Sequence, residues 1–274
     1  MGLVEGKVAI VTGSGRGAGK GIATMLAKEG ASVIINDLDA EPAEETASEI
    51  NATGAKAAAF PGSVTDKEFP DKLIKKAIDE FGKLDIIVNN AGFGWDTVIQ
   101  KMTDEMWYAV MDIHTAAPFR ILRAAAPYFK DMAKKDKADG KRVYRKVVNI
   151  SSIGGLYGNA GQANYSAAKA GQIGLSKAMA KEWGRYNVNV NVVAYGFIQT
   201  RMTGTIEEGQ SFKVGDKEVA LGIPSANLAA ISKMIPLGRP GTPEDAAGPV
   251  VFLASHLADY ITGEVISCSG GLVI

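Results

Sequence analysis

Short β-branched runs alternate with longer stretches of helical pattern along almost all of the 274-residue chain, and this rhythm constrains the fold more than any other property. The runs lie at 8–11, 32–36, 56–60, 86–89, 146–150, 188–194 and 265–268. Most are continuously apolar, as strands covered on both faces are. Helical stretches lie between them, at 17–29, 41–52, 67–81, 104–130, 165–184 and 243–255. Strand and helix in alternation require a parallel sheet with helices on both faces, and right-handed crossovers make it doubly wound. The expectation is one α/β domain over residues 1–274, a Rossmann-type seven-stranded parallel sheet. Two segments break the rhythm. Residues 131–145, rich in lysine, read as a solvated bulge before the fifth strand. Residues 201–240 contain two short strand patterns around Gly215-Asp216, and an excursion of that length reads as a substrate lid.

Charge narrows the partners. Lys+Arg and Asp+Glu are equal at 30 each, so nothing favours a nucleic acid or an anionic membrane. Cys268 is the only cysteine, which excludes an internal disulfide and agrees with a reducing compartment. No run approaches the ~18 apolar residues of a spanning helix. A soluble cytoplasmic protein is expected, and no metal site is assigned.

Thr12-Gly13-Ser14-Gly15-Arg16-Gly17-Ala18-Gly19 follows the first strand and opens the first helix. Glycines there let backbone approach a pyrophosphate at the positive helix end. Asp37 closes the second strand. A carboxylate at that point accepts hydrogen bonds from ribose hydroxyls and repels a 2′-phosphate, which favours NAD over NADP. Arg16 pulls the other way, since a guanidinium meets that phosphate.

Tyr165 and Lys169 stand four residues apart, with Ser152 thirteen residues before Tyr165. On a helix the first two share a face, where a cation lowers the pKa of a phenol towards use as an acid or base at neutral pH. A serine beside them can orient a carbonyl or an alcohol.

These residues together resemble the short-chain dehydrogenase/reductase family over nearly the whole chain. Its glycine turn matches Thr12 to Gly19, its Asn-Asn-Ala-Gly matches Asn89 to Gly92, and its serine and Tyr-x-x-x-Lys match Ser152, Tyr165 and Lys169. The stretch 158–165 is particularly similar to the 3-oxoacyl-acyl-carrier-protein reductases. The resemblance implies that Asn90, Ala91 and Gly92 line the cofactor. It implies that Lys169 binds the nicotinamide ribose, and that Gly196, Ile198 and Thr200 lie by the nicotinamide. It also implies a homotetramer or homodimer. Three positions depart from the family. His114 stands where an asparagine usually holds a water of the proton relay, and either relays protons itself or only packs. Tyr195 replaces a proline, and either reshapes the substrate site or packs. Ser63 and Val64 stand where an acid usually meets adenine, and are expected to take over that contact.

The leading expectation is hydride transfer between NAD(H) and a secondary alcohol or ketone at a site of Ser152, Tyr165 and Lys169, with His114 as a further candidate. The alternative is an NADPH-dependent reductase of 3-oxoacyl thioesters, carried by acyl carrier protein or coenzyme A. In that reading Arg185 and the cations of 131–146 meet an acidic carrier. A nucleotide-binding scaffold without turnover is the remote alternative.

Overall fold

The first strand, β1 (Val8–Thr12), shows how the sheet is built. All five of its residues are buried, yet they divide between two cores by the two-residue period of a strand. Ala9 and Val11 pack with Ile22, Ala43 and Val250, while Val8 and Ile10 pack with Leu73, Ile121 and Trp183 on the other side. The computed structural model describes residues 2–200, 203–204, 211–214, 217–220, 222 and 225–273.

In chain order β1 leads to α1 (Gly17–Lys28), β2 (Ser32–Asn36), α2 (Ala40–Ala52), β3 (Lys56–Ala59), α3 (Phe69–Phe81) and β4 (Ile86–Asn89). Then come α4 (Asp104–Met111), a π turn (Asp112–Ala116), α5 (Ala117–Ala138), β5 (Arg145–Ser152), α6 (Ile153–Tyr157), α7 (Ala163–Trp183) and β6 (Val188–Tyr195). The strands β7 (Ser211–Val214) and β8 (Lys217–Ala220), α8 (Ser225–Met234), α9 (Pro243–Ala254) and β9 (Val265–Cys268) complete the described elements. The sheet is parallel throughout in the order β3-β2-β1-β4-β5-β6-β9, as the strand pattern requires. Its order reverses between β1 and β4, the point where a doubly wound sheet opens a crevice at its strand C-termini. No described helix is long and apolar enough to cross a membrane.

Two expectations are corrected. The bulge read at 131–145 is mostly helix, since α5 runs to Ala138 and only 139–144 connect to β5. The reason is a pair distant from any local pattern: Asp136 turns inward and accepts a hydrogen bond from buried Arg145 at 2.8 Å. Arg145 and Lys146 are thus buried, with Lys146 2.7 Å from Asp259, and neither is free to meet a carrier. The single helix read at 104–130 is also broken, by the π turn that carries His114.

The paired strands read in 201–240 are present as the antiparallel hairpin of β7 and β8. Its turn, Gly215-Asp216, and much of the expected lid, including Arg201 and Met202, lie outside the described residues. Among those described, Ile235, Ile231, Ile153, Phe197 and Leu272 form a small separate core beside α6.

Candidate active site

At the switch point the ends of β1 and β4 are tied by one hydroxyl and one amide. Thr12 Oγ1 accepts from the backbone N–H groups of Asn90 and Ala91, both at 3.0 Å. Asn90 Nδ2 donates to the carbonyls of Thr12 (2.9 Å) and Gly13 (3.0 Å). Asn90 therefore shapes the glycine turn with its side chain. Gly19 lies so close under Gly13 that any Cβ would overlap the Gly13 carbonyl, which is why the helix must start with a bare backbone. Ser14 is fully buried, its hydroxyl donating to Val11 O at 2.7 Å and its main-chain N–H to Asn36 O at 2.7 Å, so it fixes the turn to the end of β2. Arg16 takes the extended conformation at the α1 N-cap, with no side chain on the first N–H groups. Donors are thus left at the positive end of α1, Gly17 and Ala18 among them, and these residues fit the pyrophosphate of a dinucleotide.

The side chains nearby are more committed than the sequence indicates. Asp37 Oδ2 accepts from Gly15 N at 2.9 Å, and its other oxygen from Asp39 N at 3.4 Å. Arg16 pairs with Asp39 at 2.8 Å, both side chains well exposed. Ser63 shares a hydrogen bond of 2.7 Å with Thr65, and Val64 is buried in the core. Gly196 lies against Ser269, while Ile198 is buried and bridges to Gly241. Thr200 lies beside Gly17, its N–H donating to Thr203 Oγ1 at 2.9 Å.

Ser152 ends β5 and caps α6, accepting from Gly154 N at 3.1 Å. Its hydroxyl favours the phenolate form of Tyr165, which rises from the first turn of α7. Burial is the larger effect, and with a smaller push from Asp96 it moves the Tyr165 phenol up to about 12. Lys169, one turn on, is 3% exposed, and burial brings its ammonium down to about 7. Its Nζ donates to Ile150 O at 2.6 Å and lies 5.6 Å from the centre of the Tyr165 ring. The expected lowering of the phenol by the lysine is therefore outweighed here by desolvation of both groups.

His114 joins the same cluster. Its ring meets Tyr165 edge-on, with centres 5.1 Å apart and planes at 86°. Nε2 hydrogen-bonds to Phe93 O at 2.7 Å, while Nδ1 is buried without a partner among the described residues. Burial foremost, with the charge of Lys169, holds the imidazole well below its usual value, so it is neutral. Gly92 packs flat against it, and a Cβ there would overlap the ring. Tyr195 faces away from this cluster. Its ring is buried and its hydroxyl donates to Ala246 O in α9 at 2.8 Å, which makes it a packing residue.

Several residues not singled out by sequence reasoning position the cluster. Gln162 Nε2 donates to Asp96 Oδ2 at 2.5 Å. Asn164 Nδ2 donates to Trp95 O at 3.0 Å and Met106 O at 3.2 Å, tying the start of α7 to the segment after β4. Both stand within three residues of Tyr165, and that proximity was the available signal. Gln172, one helical turn past Lys169 and 1% exposed, had none.

The family model described as short chain dehydrogenase matches residues 7–211. The chain is 37% identical over 271 residues to a 3-oxoacyl-acyl-carrier-protein reductase of Thermotoga maritima, covering 99% of each. It is 39% identical over 269 residues to that of Vibrio cholerae, covering 98% of each, and 38% over 276 residues to that of Synechocystis, covering 100% of each. These relatives overturn the preference for NAD, because they carry the name of the reading to which NADPH belongs. The physical reason is in the turn: Asp37 spends its carboxylate on the N–H groups of Gly15 and Asp39, so its presence at the end of β2 is a weak guide to the ribose.

Proposed function

Because the chain belongs to the short-chain dehydrogenase/reductase family of oxidoreductases, we propose that it reduces 3-oxoacyl thioesters with NADPH. The full-length likeness to reductases of that name supports the substrate class. The reducing direction rests on that same likeness, and Tyr165, protonated at neutral pH, is the proton donor that reduction requires.

In this reading the main chain of Gly17, Ala18 and Gly19 holds the pyrophosphate at the start of α1, while Gly13 and Gly15, tied to Asn90 and Asp37, shape the turn that lets it approach. Arg16 exchanges Asp39 for the 2′-phosphate, and Lys169 reaches the nicotinamide ribose. The nicotinamide, when bound, supplies the hydride to the carbonyl carbon. Tyr165 transfers its phenolic proton to the carbonyl oxygen, so a ketone becomes an alcohol and a phenolate remains. Ser152 donates a hydrogen bond to the same oxygen. Donors aimed at developing charge are worth about 2.7–4 kcal/mol each. Lys169, protonated below about 7, stabilises the phenolate that Tyr165 leaves behind.

The test is the oxidation of NADPH and of NADH by the purified protein on an acetoacetyl thioester, beside a panel of simple ketones. Turnover with NADPH on the thioester is expected. NADH rates equal to or above those with NADPH would overturn the cofactor, and turnover of simple ketones alone would overturn the substrate class.

A further inference from the structure

On one face of α7, side chains form a polar stripe where a helix packed on a sheet ordinarily places apolar ones. Lys169, Gln172 and Ser176 follow at intervals of three and four, all at least 97% buried. Ser176 Oγ donates to Gln172 O at 2.7 Å and accepts from Asn149 Nδ2 at 2.7 Å. Asn149 Oδ1 in turn accepts from Asn89 Nδ2 at 2.7 Å. A continuous chain of buried hydrogen bonds thus runs from β4 through β5 into α7. It ends at the main-chain carbonyl of Gln172, whose side-chain Oε1 lies 3.5 Å from Lys169 Nζ; the same Nζ lies 2.6 Å from Ile150 O.

The lysine has few means of staying charged there. Among the described residues no carboxylate pairs with it. From the π turn, neutral His114 faces it, and on α7 itself Tyr165 faces it with its proton retained. Asp96, beyond the tyrosine, acts on Tyr165. From β5 it meets only the Ile150 carbonyl, while Ser151 Oγ donates to the lysine's own carbonyl at 2.9 Å. The acceptors for the ammonium are therefore one carbonyl and one amide oxygen. An amide that accepts from an ammonium favours the charged form without demanding a proton itself.

We propose that Gln172 is a positioning residue of the reaction: its amide oxygen, carried on a turn of α7 whose main chain is tied through Ser176 and Asn149 to the sheet, holds the Lys169 ammonium over the Ile150 carbonyl and keeps it protonated beside Tyr165. The proposal deepens the reductase reading and rests on it for the use of Lys169. Gln172 touches neither substrate nor reacting atoms; it acts through the lysine.

The experiment is an NMR titration of the intact protein labelled with carbon-13 at lysine Cε, the Lys169 signal being assigned by its loss in Lys169→Met. The wild-type midpoint is expected near the value that burial sets. Gln172→Leu moves the midpoint down, and Gln172→Glu moves it up by about one unit or more, as an opposite charge at this range does. The acid-base limb of kcat for reduction of an acetoacetyl thioester moves in the same two directions, with KM for the thioester little changed. Should Gln172→Leu fail to fold, Gln172→Met, of similar length and without the acceptor, takes its place. Midpoints unmoved in both the apolar and the acidic variant would overturn the proposal, whatever the loss of melting temperature. The titration needs no substrate. Shifted midpoints in a protein that reduces no thioester would therefore sink the functional reading and leave the role of Gln172 standing.

Discussion

Lys169 gives its hydrogen bond to the carbonyl of Ile150, at 2.6 Å, and not to Tyr165, although the two side chains share one face of α7. Tyrosine and lysine are both driven towards their neutral forms, the phenol up to about 12 and the ammonium down to about 7. Each shift is chiefly the cost of burial. The site is charged only at the expense of folding stability, which makes its electrostatics measurable without any substrate.

Between pH 7 and about 10.4 the unfolded chain holds a proton on Lys169 that the folded chain has released. Stability from this group therefore rises with pH across that window and is lost as pH falls through about 7. Tyr165 has the opposite sign, its contribution being present below about 10 and lost as pH rises towards 12. Lys169→Met should flatten the rise from pH 7 to 10 in urea-unfolding free energy, and should be more stable than wild type at pH 6.5. A slope identical to wild type would show that the ammonium is not the desolvated group.

Tyr165→Phe keeps the ring that meets His114 and removes only the proton donor. Turnover on an acetoacetyl thioester should fall by about 10²–10⁴, the usual worth of a positioned acid. NADPH binding, followed by fluorescence titration, should be retained. Full activity in this variant would remove Tyr165 from the proposed chemistry.

Asp136 and Arg145 form the buried pair that turns an apparent loop into the end of α5. Removing one partner strands a charge in the core, and Asp136→Ala should cost about 3–5 kcal/mol in urea unfolding. Lys134→Ala nearby, where both partners of the pair with Asp131 are about two-thirds exposed or more, should cost about 0–1 kcal/mol. Similar small effects for the two variants would restore the reading of this stretch as a solvated bulge.

What sequence could reveal follows the range of the interactions. Parallel strands buried on both faces leave continuous apolar runs, so all seven strands of the sheet were visible in outline. The glycine turn was visible because its constraint is local, as the Gly13 carbonyl pressed against Gly19 shows. Ser152, Tyr165 and Lys169 were visible through a pattern of spacings. The end of α5 was hidden because Asp136 and Arg145 resemble any exposed charges until the chain brings them together. The π turn was hidden because it leaves no local pattern: the histidine it carries packs on a glycine distant in sequence. Gln172 was hidden for a related reason: a polar residue on the inner face of a helix reads as an outer one until its place beside Lys169 and the buried amides of β4 and β5 is known. The choice of cofactor failed at Asp37 because position along a strand does not say which donors a carboxylate has already taken.

That packing of His114 on Gly92 supplies the last prediction. The ring lies where a Cβ on Gly92 would stand, and its Nε2 is bonded to the next carbonyl, that of Phe93. Gly92→Ala must displace the imidazole, at a cost of about 1–3 kcal/mol for overpacking. His114→Ala leaves the Phe93 carbonyl without that donor and opens space in the core, also at about 1–3 kcal/mol. In the double variant the new methyl group enters the space that the ring has left. The two costs should therefore fail to add, with an interaction energy of about 0.5–3 kcal/mol in a double-mutant cycle of urea unfolding. Additive costs would mean that His114 and Gly92 do not constrain one another. The histidine would then be free to move within the site, and its neutral, fixed imidazole could no longer be counted among the features that hold Tyr165 in place.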